Sequence, residues 1–293
     1  MAVMLTRREA LTSVAAVGAA ALETGLTARA AGLGQAGRAV SRGRLKQSVC
    51  RWCFQKIPLR EFCRAVADLG LPAIDLLSEE EWPVAKEFGL VTSMGSGLGG
   101  TIPDGLNDPA NHDAIVKSLE AGIPRAAKAG VPNVISFFGN RKGWSDEEGI
   151  ANCVAALNRV KRVAEDHGVT ICVELLNSKV NHKDYHGDRT PFGVAVVSAV
   201  NSPRVKLLYD IYHMQIMEGD VIRTIRDNHQ WIAHYHTAGV PGRNEIDGTQ
   251  ELQYPAIAKA IVDLGFTGYM AQEFIPTRDP ITSLREAVVL CDI

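Results

Sequence analysis

The stretch that decides the fold is residues 205–211, which read Val-Lys-Leu-Leu-Tyr-Asp-Ile. The run is short, mostly apolar, and carries one carboxylate near its end. Such a composition is typical of a parallel strand that is buried on both faces. A helical pattern follows over residues 217–228. A buried strand followed by a helix is the repeating unit of parallel α/β proteins, so we interpret this stretch as one βα unit.

The same unit recurs along the chain from Leu45 onward. Eight helical segments are predicted, beginning near residues 58, 79, 111, 145, 190, 217, 255 and 280. The predicted strands are Gln47–Trp52, Ala73–Leu77, Leu90–Met94, Asn133–Phe138, Thr170–Leu175, Val205–Ile211, Trp231–His236 and Tyr269–Phe274. Eight units close a barrel, and no glycine fingerprint of a dinucleotide-binding sheet follows the first strand. The predicted fold is therefore α/β, a single (β/α)₈ TIM barrel over residues 45–293.

A glycine-rich segment, Gly95-Ser96-Gly97-Leu98-Gly99-Gly100, follows the third predicted strand. It superficially resembles a phosphate-binding loop, but no helix begins directly after it. We interpret Gly95–Gly105 as a loop at the active-site end of the barrel.

The N-terminal residues have the pattern of an export signal. Paired arginines, Arg7 and Arg8, precede a weakly apolar run over 11–22, and Ala28-Arg29-Ala30 fits a cleavage site. The paired arginines resemble a twin-arginine (Tat) signal, so residues 1–30 predict a periplasmic or extracytoplasmic protein. Residues 31–44 are predicted to be a flexible linker. Because the apolar run is shorter than a bilayer-spanning helix, stable membrane insertion is not expected.

Composition narrows the classes of partner. The 31 basic and 33 acidic residues give a net charge of −2, which offers no basic excess for nucleic acid. Of the six cysteines, Cys50 and Cys53 form a C-x-x-C without a second copy at zinc-finger spacing. We expect buried thiols, and a Cys50–Cys53 disulfide stays open. Homo-oligomerisation is left open as well.

Four consecutive predicted strands, the fifth to the eighth, each end near one ionisable residue: Glu174, Asp210, His236 and Glu273. The C-terminal ends of barrel strands meet at the active-site face, so these side chains are expected to converge. A buried salt-bridge network is the alternative, but Lys and Arg are missing from these strand ends and clustered carboxylates repel one another. Three carboxylates and one imidazole suit one divalent metal ion, Mn²⁺, Mg²⁺, Co²⁺ or Zn²⁺.

Several of these segments resemble the hydroxypyruvate isomerase family, within the xylose-isomerase-like barrel superfamily that also holds sugar isomerases and ketose 3-epimerases. The resemblance covers nearly the whole chain after the leader. Its most specific part is Leu207-Leu208-Tyr209-Asp210-Ile211-Tyr212-His213-Met214-Gln215. Other matching segments are Val173-Glu174-Leu175-Leu176-Asn177, Pro241-Gly242-Arg243 and Gln272-Glu273-Phe274.

The resemblance implies roles for particular residues. Glu174, Asp210, His236 and Glu273 would hold the metal ion, and Glu174 and Glu273 would also be the two catalytic acid/base carboxylates. His213 would contact a substrate oxygen, and Arg243 would bind a substrate carboxylate or hydroxyl. From position alone, Trp52 and His182 are further candidate substrate contacts.

These residues predict a metal-dependent isomerase that acts on a small keto acid or ketose through an enediolate. The same site serves isomerisation, epimerisation or elimination, depending on where the proton returns. Many hydroxypyruvate isomerases carry Gln where this chain has His236, which is typical of ketose epimerases. The alternatives are therefore a ketose 3-epimerase or keto-sugar lyase of periplasmic carbohydrate, and a non-catalytic periplasmic sugar-binding protein.

Overall fold

The computed structural model describes residues 37–293 of the chain, so the predicted signal over 1–30 lies outside the described residues. Eight parallel strands form one sheet, which confirms the predicted TIM barrel. The strands are β1 (Lys46–Val49), β2 (Ala73–Leu77), β3 (Val91–Gly99), β4 (Asn133–Phe137), β5 (Thr170–Leu175), β6 (Val205–Asp210), β7 (Ile232–Thr237) and β8 (Tyr269–Gln272).

Helices alternate with these strands. They are α1 (Leu59–Leu69), α2 (Trp82–Glu87), α3 (His112–Ala129), α4 (Asp146–His167), α5 (Thr190–Val200), α6 (Ile211–Met217), α7 (Val221–Asn228), α8 (Tyr254–Asp263) and α9 (Pro280–Cys291). Local signals set several of their ends. Ser145 and Glu148 form the predicted capping box before α4, and Gly168 ends that helix in the left-handed conformation.

The strands follow the order β1-β8-β7-β6-β5-β4-β3-β2. Between the two ends of this order, β1 and β2, the barrel is nearly closed by a single parallel bridge that joins Cys50 to Asp75. This bridge brings the end of β2 beside the end of β1 at the active-site face.

The core has two parts. A large apolar cluster lies between the sheet and the helices. A small second cluster consists of Met94, Ile135, Cys172 and Leu208. Cys172 precedes Glu174 by two residues in β5, and Leu208 precedes Asp210 by two in β6, so each pair shares a strand face. The small cluster is therefore an apolar floor beneath the strand-end ionisable residues.

The glycine-rich segment is not a loop from Gly95 onward, as predicted, because β3 continues through Gly99. A Cβ on Gly99 would lie 2.2 Å from the carbonyl oxygen of Ile135 and 2.6 Å from Cβ of Ser136. Glycine here permits a close approach of β3 to β4, where the Ser136 hydroxyl donates to the Gly99 carbonyl at 2.7 Å.

Two other predicted boundaries are wrong. The first strand ends at Val49, and Trp52 lies in a 3₁₀ turn over Arg51–Phe54 rather than at a strand end. The helix predicted over 217–228 begins later, at Val221, as α7, and a separate helix, α6 (Ile211–Met217), precedes it. Gly219, at φ 68°, separates them, and a positive φ interrupts a right-handed helix.

Part of the predicted linker is fastened to the barrel. Three consecutive backbone N–H groups, those of Ser41, Arg42 and Gly43, donate to the Asp292 carboxylate at 2.6–2.7 Å. Ala39 is buried, and its N–H donates to the carbonyl oxygen of Leu69 at 2.8 Å. Residues 39–43 are thus held in place, and residues 31–36 lie outside the described part.

All six cysteines lie in the described part of the chain and are free thiols, so Cys50 and Cys53 are not bonded to each other. Across residues 37–293, no helix has the length and apolar character that crossing a bilayer would demand.

We predict that Gly99→Ala lowers the free energy of unfolding by about 1–3 kcal/mol, because its Cβ overlaps the β4 backbone. Gly248→Ala is the matched control, since a Cβ there meets no atom within 4 Å and its change should stay within about 0.5 kcal/mol. Urea unfolding followed by circular dichroism measures both. Equal stability of the two variants would contradict the close approach of β3 and β4.

Candidate metal centre

The structure brings the four predicted metal ligands together at the mouth of the barrel. Glu174 lies near the end of β5, Asp210 ends β6, His236 lies near the end of β7, and Glu273 directly follows β8. All four are buried, and one candidate ligand atom of each lies within 4.8 Å of those of the other three. The barrel topology creates this cluster, since parallel strands end on one face.

The contacts within the cluster centre on the His236 ring. Its Nδ1 lies 3.1 Å from Oε1 of Glu174 and 3.2 Å from Oε2 of Glu273. Asp210 uses Oδ1 to cap α6, accepting from the His213 N–H at 2.9 Å. Its other oxygen, Oδ2, is buried and accepts no hydrogen bond. A buried carboxylate oxygen without a donor fits a cation ligand, so the residues present suit a divalent ion.

Burial and charge shift the pKa values of the cluster in opposite directions. Burial raises the pKa of Glu174, and burial together with the Glu273 charge raises that of Asp210 well above its usual range. Burial acts the same way on Glu273, but His236 and Arg243 outweigh it and hold the pKa of that carboxyl well below its usual range. The charged form of Glu273 is therefore the best stabilised of the three carboxylates.

Glu273 has two further partners. The Arg243 Nη2 lies 2.6 Å from Oε2 of Glu273, and Trp52 Nε1 donates to Oε1 at 2.8 Å. The guanidinium of Arg243 also stacks between two rings, 5.0 Å from the centroid of Trp52 and 5.4 Å from that of Tyr212. Both predicted substrate contacts, Trp52 and Arg243, are thus placed directly against a predicted ligand.

His213 stands beside Asp210 with a defined tautomer. Its Nδ1 accepts from the Asn177 N–H at 3.1 Å and lies 2.6 Å from the Asn177 side-chain nitrogen. The proton of the neutral ring is then on Nε2, which is buried, has no hydrogen-bond acceptor, and lies 3.6 Å from Oδ2 of Asp210. Burial lowers the pKa of His213 well below its usual range, so the ring is a neutral donor.

A cavity of about 850 Å³ opens onto the cluster. His182 lines it, half-buried, with its ring centroid 5.3 Å from that of His213. The remaining walls combine polar and apolar side chains that include Arg51, Gln55, Ser78, Glu81, Ser96 and Phe137. Five of the eight predicted ligand and substrate residues line this cavity: Trp52, Glu174, His182, Arg243 and Glu273. The other three each contact one of these five: Asp210 contacts Arg243, His213 contacts His182, and His236 contacts Glu174.

Sequence reasoning missed Asp75. This carboxylate is fully buried in β2 and lies 3.0 Å from Nε2 of His236 and 3.2 Å from Nε2 of His234. The signal that could have found it is the one used for the other four, a charge inside the apolar run Ala73–Leu77. Tyr185 was also missed. Its hydroxyl donates to the Glu174 carbonyl at 2.8 Å, and no sequence pattern indicates that contact.

Comparison with known proteins agrees with the geometry. A family model described as xylose isomerase-like TIM barrel matches residues 57–289. A putative hydroxypyruvate isomerase of Homo sapiens is 30% identical over 107 residues, which are 36% of this chain and 39% of the relative. A 2-oxo-tetronate isomerase of Cupriavidus necator is 35% identical over 100 residues, 33% of this chain and 38% of the relative. The chain thus spans about two fifths of these relatives' length.

A solved structure shows the same fold over a longer span. The D-psicose 3-epimerase of Clostridium cellulolyticum superposes with a TM-score of 0.70 at 20% identity, covering 85% of this chain and 97% of that chain. At this identity the likeness establishes the shared barrel.

We predict opposite stability effects for two charge-removing substitutions in protein stripped of metal by chelator at pH 7.5. The pKa of Asp210 is raised, so its ionised form opposes folding, and Asp210→Asn should raise the free energy of unfolding by about 1–2 kcal/mol. Asn also retains the helix cap. The pKa of Glu273 is lowered, so Glu273→Gln should lower the unfolding free energy by about 3 kcal/mol.

The sign follows from linkage. A carboxyl group whose pKa is raised by folding contributes stability at low pH, and this contribution is lost as the pH rises through its folded-state pKa. A carboxyl group whose pKa is lowered by folding contributes stability at higher pH, and this contribution is lost as the pH falls through its folded-state pKa. The advantage of Asp210→Asn over the wild type should therefore disappear as the pH of the urea titration falls toward about 4. An Asp210→Asn variant less stable than wild type at pH 7.5 would contradict the charge repulsion.

Proposed function

This chain belongs to the xylose isomerase-like TIM barrel family, and we propose that it is a divalent-metal-dependent isomerase of small hydroxy-carbonyl compounds. One observation carries the proposal. Three carboxylates and one imidazole are buried together at the barrel mouth, within 4.8 Å of one another, beside a cavity large enough for a small substrate. In the absence of a cation the buried Asp210 Oδ2 atom accepts no hydrogen bond, although Arg243 Nη2 lies 3.8 Å from it.

The four ligands proposed are Glu174, Asp210, His236 and Glu273. A divalent ion held by them would stabilise the negative charge that develops on the substrate oxygens when the α proton leaves. The ion's charge would also offset the burial, and the repulsion by Glu273, that raise the pKa values of Glu174 and Asp210.

Two carboxylates of the chain then move the proton. Glu174 and Glu273 approach the His236 ring from β5 and β8, strands separated by two others in the sheet. We propose that one of them removes the α proton and the other returns a proton. The Nε2–H of His213 donates to a substrate oxygen. Arg243 keeps Glu273 ionised and oriented, and its position at the cavity wall allows contact with a substrate carboxylate or hydroxyl.

The relatives support isomerisation of a keto acid. These relatives are named putative hydroxypyruvate isomerase and 2-oxo-tetronate isomerase, and each name contains that of a small hydroxy-keto acid. The Arg243 guanidinium at the cavity wall is the group that would pair with the carboxylate of such a substrate.

A ketose 3-epimerase is the second candidate. The observation that favours it is the cavity of about 850 Å³, which leaves much room around a three-carbon acid and accommodates a longer polyhydroxy chain. His182 and Ser96 offer polar contacts for additional hydroxyls. The 3-epimerase with the same barrel shows that this fold holds a ketose.

We predict that the wild-type protein with Mn²⁺ incorporates solvent deuterium into one member of a panel of keto acids and ketoses in D₂O, observed by proton NMR. The product distinguishes isomerisation from epimerisation. Glu174→Gln and Glu273→Gln should each slow exchange by about 10²–10⁴-fold, because each lacks a proton-transfer carboxylate. Glu61→Gln, an exposed Glu on α1, is the matched control and should exchange at the wild-type rate.

Two results would count against the proposal. If no compound of the panel incorporates deuterium and the protein binds no Mn²⁺, the result would favour a sugar-binding protein over an enzyme. Exchange at the wild-type rate in Glu174→Gln would remove the acid/base role of that residue while leaving the metal site intact.

We further propose that residues 1–30 direct export through the twin-arginine route, which places the substrate outside the cytoplasm. The paired Arg7 and Arg8 support this. Replacing both with Lys should retain the protein in the cytoplasmic fraction of a bacterial host that has this pathway, whereas the wild type should reach the periplasmic fraction. Equal periplasmic yield of the two proteins, measured by immunoblot, would overturn the proposal.

A further inference from the structure

Asp75 is a buried charge that the proposed chemistry does not use. It lies in β2, fully enclosed, and each of its oxygens has two neighbours. Oδ2 lies 3.0 Å from His236 Nε2 and 3.7 Å from the Cys50 thiol. Oδ1 accepts from the Ser93 hydroxyl and lies 3.2 Å from His234 Nε2. A buried carboxylate with four neighbours, two of them imidazoles, is fixed in orientation.

The His236 ring joins Asp75 to the proposed metal ligands. Nδ1 faces the oxygens of Glu174 and Glu273, at 3.1 and 3.2 Å, and Nε2 faces Asp75 on the opposite edge. A carboxylate acts on Nε2 as an acceptor, so it keeps a proton there. In the metal-bound form, the free lone pair of the His236 ring is then on Nδ1, which faces the other proposed ligands.

We propose that Asp75 is a positioning residue that fixes the tautomer and ring orientation of His236 for metal binding, an inference that rests on the proposed function. In the described part of the chain, the Asp75 side chain makes no hydrogen bond to Glu174, Asp210 or Glu273, and Asp75 itself does not line the cavity. It acts through the hydrogen bond to Nε2. The Ser93 hydroxyl donates to the second oxygen of Asp75, and Nε2 of His234 lies 3.2 Å from that oxygen.

The backbone of β2 is distorted at this position in a way that supports the proposal. The pairing of β2 with β3 shifts register on both sides of Asp75. The next residue, Leu76, has φ 56°, a left-handed conformation that is unfavourable for leucine. A bulge re-aims a side chain relative to a regular strand, and such strain persists where the surrounding structure requires it. Here the bulge coincides with the carboxylate that meets His236.

Asp75, His234 and His236 also form a group whose ligand atoms could hold a second cation. The positioning role is favoured because Nε2 of His236 and Oδ2 of Asp75 are at hydrogen-bond distance, 3.0 Å, and aligned as donor and acceptor. The stoichiometry of metal binding distinguishes the two arrangements.

The test is calorimetric titration of the chelator-stripped full chain with Mn²⁺. We expect one equivalent of Mn²⁺ to bind the wild type, and Asp75→Asn to raise its dissociation constant by about 10–100-fold, because the amide can donate to Nε2 and stabilise the wrong tautomer. Ser93→Ala is the matched control. It removes another hydrogen bond to Asp75 but leaves the contact with His236, and it should change the Mn²⁺ dissociation constant less than about threefold.

A second measurement uses the wild type alone, in case Asp75→Asn does not fold. Nitrogen-15 NMR of histidine-labelled protein loaded with Zn²⁺ should show His236 protonated at Nε2 and metal-bound through Nδ1. A His236 bound through Nε2 would overturn the proposal.

The remaining outcomes separate this inference from the proposed function. If Asp75→Asn binds Mn²⁺ with wild-type affinity, or loses no more affinity than Ser93→Ala does, the positioning role alone is overturned. A wild type that binds two equivalents, one of which Asp75→Asn loses, also overturns it, since Asp75 would then be a ligand. A wild type that binds no Mn²⁺ removes the proposed function, and this inference falls with it.

Discussion

The mutual repulsion of Glu174, Asp210 and Glu273 is the constraint on which the rest of the barrel mouth depends. The fold itself imposes it, because parallel strands β5, β6 and β8 deliver their end residues to one face, above an apolar floor. Carboxylates in such a place cannot all ionise without compensating positive charge. The positions of the neighbouring groups can be understood as responses to that requirement.

The compensation is uneven. Glu273 receives Arg243, Trp52 and one edge of His236, and its pKa is lowered accordingly. Asp210 accepts one backbone N–H at Oδ1, and Arg243 Nη2 lies 3.8 Å from its Oδ2, yet burial and the Glu273 charge keep its pKa raised. Glu273 therefore has the most favourable surroundings for its charged form among the three carboxylates. A divalent cation would add positive charge beside the other two, which is a physical reason to expect one in addition to the identity of the residues.

Much of this arrangement could be predicted from the sequence, and the physical reasons for success and failure differ. The bounds of β5 and α5 were predicted correctly, because a strand buried on both faces and a helix begun by Thr190-Pro191 are locally determined. The four proposed ligands were predicted as neighbours because barrel topology places the ends of consecutive parallel strands on one face.

Other features were predicted wrongly or not at all. Gly95–Gly99 was assigned to a loop because glycine content alone does not distinguish a turn from a strand that needs close packing. Asp75 carries the same local signal as the other four, a charge inside an apolar run, but its partners His234 and His236 lie about 160 residues away and could not be assigned from the sequence.

The segment after β5 links the proposed substrate contacts physically to the proposed ligands. The Asn177 side chain accepts from the backbone N–H groups of Val180 and Asn181, and its own N–H sets the tautomer of His213. Farther along, the Tyr185 hydroxyl donates to the carbonyl of the ligand residue Glu174. His182 lies between these two anchors, on the cavity wall. A change in this segment that altered substrate preference would therefore also disturb Glu174 or His213. Changes of substrate specificity are then expected to be easier at Ser96 and Gln55, two lining residues with no hydrogen bond to a proposed ligand in the described part of the chain.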